Sequence, residues 1–183
     1  LHSFPTRRSS DLNNDESGLD GIPPPPDFPS EQLGFTNFPL DIDDVVRRQL
    51  LGMTPDSICP TDHSFSLRIV LRYLEETGNQ TPEGYVQLRD LVLKPLEQNA
   101  GGYQLPQKEV GGYQILLNYR ALESKQVKLR EILSGALDSQ LPVLVKDRIV
   151  FIGVVNGKDD LHLTPYSNDQ GKHEMSGPAF LTN

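Results

Sequence analysis

Ile149-Val150-Phe151-Ile152-Gly153-Val154-Val155 follows a polar turn, Lys146-Asp147-Arg148, and holds no charge along its length. A continuous run of β-branched and aromatic residues without polar alternation is the pattern of a strand covered on both faces. The segment therefore reads as a buried strand, and a buried strand needs helices or further strands on either side of it.

Working outward, those elements are legible in the residues before it. Leu129, Ile132, Leu133, Ala136 and Leu137 follow helical spacing, with Gly135 placed to end that helix early. Tyr113, Ile115, Leu117 and Tyr119 alternate as one face of a strand. The string GGYQ occurs at 101–104 and again at 111–114, too close together for a solenoid repeat. The paired glycines read as positive-φ turns leading into a strand rather than as a phosphate loop. Residues 85–88 and 91–93 are short strands on either side of Arg89-Asp90, a hairpin pattern.

Further back, Thr61 or Asp62 is placed to cap a helix running to Thr77 and stopped by Gly78. Its apolar side holds Leu67, Val70, Leu71 and Leu74, flanked by Phe65, Ile69 and Tyr73, a face wide enough to lie on a sheet. Asp41-Ile42-Asp43-Asp44 is a turn before a strand over 45–53, weakened by Arg47 and Gln49 on one face. Alternation puts Arg47 and Arg48 on opposite faces. The fold class that results is α/β, a layered mixed sheet with helices packed on it in a single domain. The expected core is Ile115, Leu117, Val150, Ile152 and Val154, covered by Leu67, Val70, Leu71 and Leu74.

Composition sets the outer limits. A chain of 183 residues supports one full-sized domain. The hydrophobic fraction is 36% and the leanness lies in the first thirty residues, so the core is drawn from the remainder. The net charge of -8 opposes nucleic acid and anionic lipid surfaces in the absence of a basic patch, and no such patch is visible. Cys59 is the only cysteine, which excludes an internal disulfide and a CxxC metal or redox motif. It reads as a small structural residue, compatible with the cytoplasm or with a bacterial export compartment.

Residues 1–20 are expected to be disordered. They open on LHSFPTRRSSDL, similar to translated sequencing-adapter read-through, and stay polar with no apolar stretch of a leader peptide. Residues 21–33 form a linker around Pro23-Pro24-Pro25-Pro26, which favours polyproline II but lacks the basic flank of an SH3 ligand. The domain proper is expected over 34–183. Asn79-Gln80-Thr81 fits a glycosylation triplet but is followed by Pro82, and reads as chance. No run of 18 apolar residues occurs.

The densest set of functional groups follows the apolar run. Ligands of α/β sheets gather beyond the carboxyl ends of strands, and there the chain offers Asn156, Asp159, Asp160 and His162, then Tyr166 behind the stiffening Pro165. These five are the candidate ligand-binding residues. An imidazole ordinarily titrates near pH ~6.5, which would make His162 a pH-responsive member. With His173 and Glu174 the same carboxylates suit a hard cation, but HExxH, the calcium loop, GxSxG, the Walker motif and GxGxxG are all missing. No catalytic residue, metal or cofactor is expected. The alternatives are a metal-dependent hydrolase built on 159–162 and a dimerisation module that senses nothing.

GIPPPP, FPLDIDDVVRRQLL, FSLRIVLRYLE, NAGGYQ, GGYQILLNYR, VKDRIVFIGVV and LTPYSNDQGKHEMSGP follow one another in this order. Together they resemble the type-two CHASE domain, an extracellular sensory module, in its cyanobacterial form. The resemblance runs from Gly21 to the C-terminus. Family members usually read more like MPGV in the block corresponding to Met175-Ser176-Gly177-Pro178, and the Ser176-Gly177-Pro178-Ala179 reading departs from this. The resemblance implies a periplasmic sensor domain of a bacterial membrane protein, truncated at both ends here. In the parent protein the membrane would be reached through flanking helices absent from this chain. The output would be a kinase, a nucleotide cyclase or a caspase-like peptidase, and this chain itself would be no enzyme. The partner would be an unidentified small ligand or periplasmic protein, with homodimerisation in the parent and no nucleic acid. Location and role are what the resemblance carries; it transfers no site residue.

Overall fold

A computed structural model describes residues 26–55, 60–120, 125–153, 161–167 and 175–176. Its centre is an antiparallel pair, β1 (Arg48–Gly52) and β5 (Tyr113–Leu116), with Arg48 opposite Leu116, Gln49 opposite Ile115 and Leu50 opposite Gln114. A bulge between Leu50 and Gly52 turns Leu51 into the core with Leu67, Leu71 and Leu88. Leu74, Val86, Leu93, Tyr113 and Ile115 close around them. The second GGYQ explains itself at this point. Gly112 sits at φ +72, and a Cβ there would lie 2.6 Å from Leu50 Cδ1 and 2.9 Å from the Gly52 carbonyl, so only glycine makes the turn into β5. The first GGYQ instead begins in a 3₁₀ turn, Ala100–Gly102.

α1 (Phe65–Leu74) covers this pair. It starts one turn later than the sequence suggests. Thr61 is buried and its hydroxyl donates to the Leu33 carbonyl at 3.2 Å, so the cap falls to Ser64, whose Oγ accepts from Leu67 N at 3.2 Å. The helix also stops before Gly78. Glu75 adopts the left-handed conformation (φ 57, ψ 37). The amides of Glu75 and Glu76 return to the carbonyls of Arg72 and Leu71, closing a Schellman motif without a glycine. Leu67 and Leu71 are buried as expected, but Val70 and Tyr73 face solvent, because α1 lies on a two-stranded ribbon that covers only a narrow stripe of it.

β2 (Asn79–Gln80), β3 (Val86–Leu88) and β4 (Leu91–Leu93) form a three-stranded antiparallel sheet. The expected hairpin turns at Arg89-Asp90, with Arg89 at φ 53. Tyr113 ties this sheet to β5, its hydroxyl donating to the Leu93 carbonyl and accepting from Val86 N.

The C-terminal third departs most from expectation. α2 (Leu129–Leu133) ends before Gly135, which takes φ +76, as its sequence suggests. α3 (Leu141–Val145) was not anticipated, since LPVLV is too short to show a helical period. The polar turn at 146–148 is present. Residues 149–153, however, join no strand, and Ile149, Val150 and Ile152 are 45, 56 and 60% exposed. The expected buried strand and its core members Val150 and Ile152 are thus corrected; Val154 and Val155 lie outside the described residues. An apolar run becomes a buried strand only where neighbours supply both hydrogen-bond partners and cover. Among the described residues none pairs with it, and Phe151 alone packs inward, edge-on to Phe65 at 6.1 Å.

β6 (Leu161–His162) pairs with β7 (Met175–Ser176), and isolated parallel bridges join Phe35 to Ser64 and Val45 to Leu163. The mixed α/β class in a single domain holds, with the described strands distributed over small antiparallel sheets.

Candidate functional site

Of the five residues expected to bind a ligand, Asn156, Asp159 and Asp160 lie outside the described residues, while His162 and Tyr166 can be placed. His162 ends β6 and Tyr166 lies in the segment that follows it. Val46, fully buried, donates its amide to the Leu163 carbonyl at 3.0 Å and fastens that segment beside the start of β1. His162 packs its ring edge-on against Phe38, 4.7 Å between centroids at 89°.

The chain then turns sharply. Thr164 is buried, its amide donates to Ser167 Oγ at 2.8 Å, its hydroxyl accepts from Tyr166 N at 3.2 Å, and Ser167 N returns to its carbonyl at 2.9 Å. Pro165 presets the first corner of this turn. Tyr166 is left 64% exposed, its ring 6.3 Å from that of Tyr119 at 81°. The Tyr119 hydroxyl donates to the Val46 carbonyl at 2.7 Å, and burial raises its pKa above the ordinary phenol value. The two placed candidates therefore hang from one anchor, the Val45-Val46 backbone.

Two residues further along β1 lies a polar cluster that sequence reasoning missed. Arg48 is 1% exposed and faces Asp41, whose side chain is 7% exposed, with Nε donating to Oδ1 at 2.8 Å. Its other donors reach the carbonyls of Leu40 at 2.9 Å and Glu109 at 3.1 Å, and Gln114 Oε1 at 3.1 Å. Gln114, also 1% exposed, spends its amide hydrogens on the carbonyls of Glu109 and Gly111. The second Asp41 oxygen accepts from the Tyr103 hydroxyl at 2.8 Å and from Arg47 at 2.9 Å.

The charges respond accordingly. Burial, followed by the hydrogen bond to Asp41, pushes the Tyr103 phenol up to about 12. The Arg47 fork bonds both oxygens of Asp43, which holds the Asp43 carboxyl below its ordinary value and the Arg47 guanidinium above its own. Every group here has a partner, so the cluster works as a clamp that fixes the 40–43 turn and the 103–111 loop to β1 and β5. The available signal was the string DIDDVVRR itself. An arginine between valines and leucines in a strand, four to seven residues after several aspartates, has counterions within reach if it turns inward.

A second charged group caps the approach to α1. Arg68 donates to the Leu33 carbonyl at 3.1 Å and to Thr61 Oγ1 at 3.3 Å, and lies 3.6 Å from Asp62, which also meets His63 Nδ1. Partial burial works to raise the Asp62 pKa, but the His63 hydrogen bond and charge outweigh it and hold that carboxyl low. Among the described residues no three His, Cys, Asp or Glu side chains are grouped to hold a metal ion, and no helix is long and apolar enough to cross a membrane.

A family model for the CHASE2 domain matches residues 5–183, beginning ahead of the Gly21 at which the sequence resemblance was first visible. No curated protein and no solved structure matches the chain.

Proposed function

The chain belongs to the CHASE2 domain family, a family of extracellular sensory domains, and from that premise we propose that it is the signal-input domain of a bacterial membrane-anchored signal transduction protein. The receiving edge in this reading is formed by Asn156, Asp159, Asp160, His162 and Tyr166. The domain itself carries out no reaction, and its parent's output domain does.

The observation that supports this most is the way His162 and Tyr166 are mounted. They flank Leu163, whose carbonyl accepts from Val46 N, and the ring of Tyr166 meets Tyr119, whose hydroxyl donates to the Val46 carbonyl. Val46 precedes the strand whose Arg48 clamps three separate parts of the chain. A ligand that binds one position of the return segment better than another would therefore bias the packing of β1, and only such differential affinity can shift an equilibrium.

The test is a panel of Asn156→Ala, Asp159→Ala, Asp160→Ala, His162→Ala and Tyr166→Phe in the full-length parent protein, with output activity measured across stimuli and pH. Loss of the stimulus response in one or more variants at normal expression is expected. Wild-type responses from all five would overturn this assignment of the receiving edge.

A further inference from the structure

The two copies of GGYQ meet in one polar cluster. The first supplies Tyr103, whose hydroxyl donates to Asp41 Oδ2 at 2.8 Å and whose ring centre lies 6.0 Å from the Arg48 guanidinium carbon. The second supplies Gln114, whose amide donates to the Glu109 carbonyl at 2.8 Å and to the Gly111 carbonyl at 2.7 Å. Arg48 adds a bond to the same Glu109 carbonyl at 3.1 Å, and the Glu109 carboxylate lies 4.0 Å from its Nη2.

The stretch held in this way is a loop whose two ends lie side by side. Leu96 N donates to the Gln114 carbonyl at 2.7 Å, which roots one end on β5. Gly112, at φ +72 and pressed against Leu50, roots the other. Between the roots, the described backbone hydrogen bonds close on the loop itself: Ala100 N to Glu97 O, Tyr103 N to Ala100 O, Leu105 N to Gln98 O and Glu109 N to Pro106 O. Close ends and internal bonding are the anatomy of an Ω-loop. No residue of 97–112 belongs to the apolar cluster of Leu51, Leu67, Leu71 and Leu88 or to the shell around it, and none of its described side chains is buried.

These features set what it costs to release the loop. Opening breaks hydrogen bonds that water replaces and uncovers no member of the core, whereas separating β1 from β5 uncovers the whole cluster. No charge is stranded, because Arg48 keeps its bonds to Asp41 at 2.8 Å and to the Leu40 carbonyl at 2.9 Å, neither of which involves the loop. We propose that residues 97–111 are a strap that opens as one unit from its roots at Leu96 and Gly112 while the rest of the domain stays folded, latched shut by the Tyr103 hydroxyl and the Glu109 carbonyl. Opening uncovers the Gln114 amide and the Glu109-facing nitrogen of Arg48, both buried when the strap is closed. The device goes beyond the signal-input reading and does not depend on which residues receive a signal.

Native-state hydrogen exchange of the full 183-residue chain, followed by NMR in increasing sub-denaturing urea, tests it. The amides of Tyr103, Leu105 and Glu109 report the strap; those of Ser64 and Leu117, bonded to the Leu51 and Arg47 carbonyls, report the folded centre. The strap amides are expected to exchange about tenfold faster or more than the central ones. Their rates should be nearly flat in urea, because the opening exposes little surface, while the central rates climb steeply. Tyr103→Phe removes the latch hydroxyl and keeps the ring, and is expected to speed the strap amides about threefold or more. Leu71→Ala, in the core cluster, is expected to speed the central amides and leave the strap rates unchanged; if that variant does not fold, the urea series on the unsubstituted chain decides the same point. Strap and central amides that share one rate and one urea slope overturn the proposal, since the loop then leaves only with the whole domain. Strap amides that exchange without protection in the unsubstituted chain also overturn it, as do strap rates that Tyr103→Phe leaves unchanged or that Leu71→Ala raises together with the centre.

Discussion

At the scale of single residues, the side chain that matters most for order is Arg48. Its guanidinium is buried with Asp41 and contacts separate parts of the chain. Replacing one member of a buried pair leaves the other uncompensated, so Arg48→Met should cost on the order of 3 kcal/mol, and Asp41→Asn a similar amount. The pair of changes together should cost less than their sum, the coupling being read from a double-mutant cycle of urea midpoints. Tyr103 offers a cleaner signature. Its folded pKa of about 12 lies above the ordinary value of 10.0, so the folded state holds the phenolic proton more tightly. The resulting stabilisation is complete below pH 10 and is lost as pH rises from 10 through 12. Tyr103→Phe should remove that part of the alkaline decline; identical pH profiles for both proteins above pH 10 would contradict the raised Tyr103 pKa.

At the scale of elements, α1 separates what its spacing suggests from what its neighbours cover. Leu71→Ala removes a buried side chain of the main cluster and is expected to cost about 2–5 kcal/mol. Val70→Ala, one residue earlier and facing solvent, should stay within roughly 0.5–1 kcal/mol. Ser64→Ala deletes the N-cap and should cost about 1 kcal/mol, whereas Asp62→Ala, at the position the sequence favours for capping, should not shorten the helix. Helix content by circular dichroism together with denaturation midpoints distinguishes these outcomes. The cap was misread by one turn because any of Thr61, Asp62 and Ser64 satisfies the local rule. The choice was made by the Leu33 carbonyl, which takes the Thr61 hydroxyl.

At the scale of the molecule, every described core residue lies at Leu33 or later, so deleting residues 1–20 is expected to leave the thermal midpoint unchanged. A loss of several degrees would assign that segment to the fold, in keeping with a family match that begins at residue 5. The same scale governs Ile152. It is 60% exposed, and Ile152→Ala should shift the denaturation midpoint by little.

The sequence by itself determined those features whose causes are local: the turn at Arg89-Asp90, the Leu67-Leu71 stripe, the end of α2 before Gly135 and the polar turn at 146–148. The order of its sequence blocks also carried the family. Only the tertiary structure decided where polarity and apolarity are hidden. Arg48 and Gln114 are buried because they meet each other across 66 residues of chain, a partnership that no window of sequence contains. Val150 and Ile152 are exposed for the converse reason: an apolar run states the cost of leaving it in water, but the cover must come from elsewhere in the fold or from another molecule.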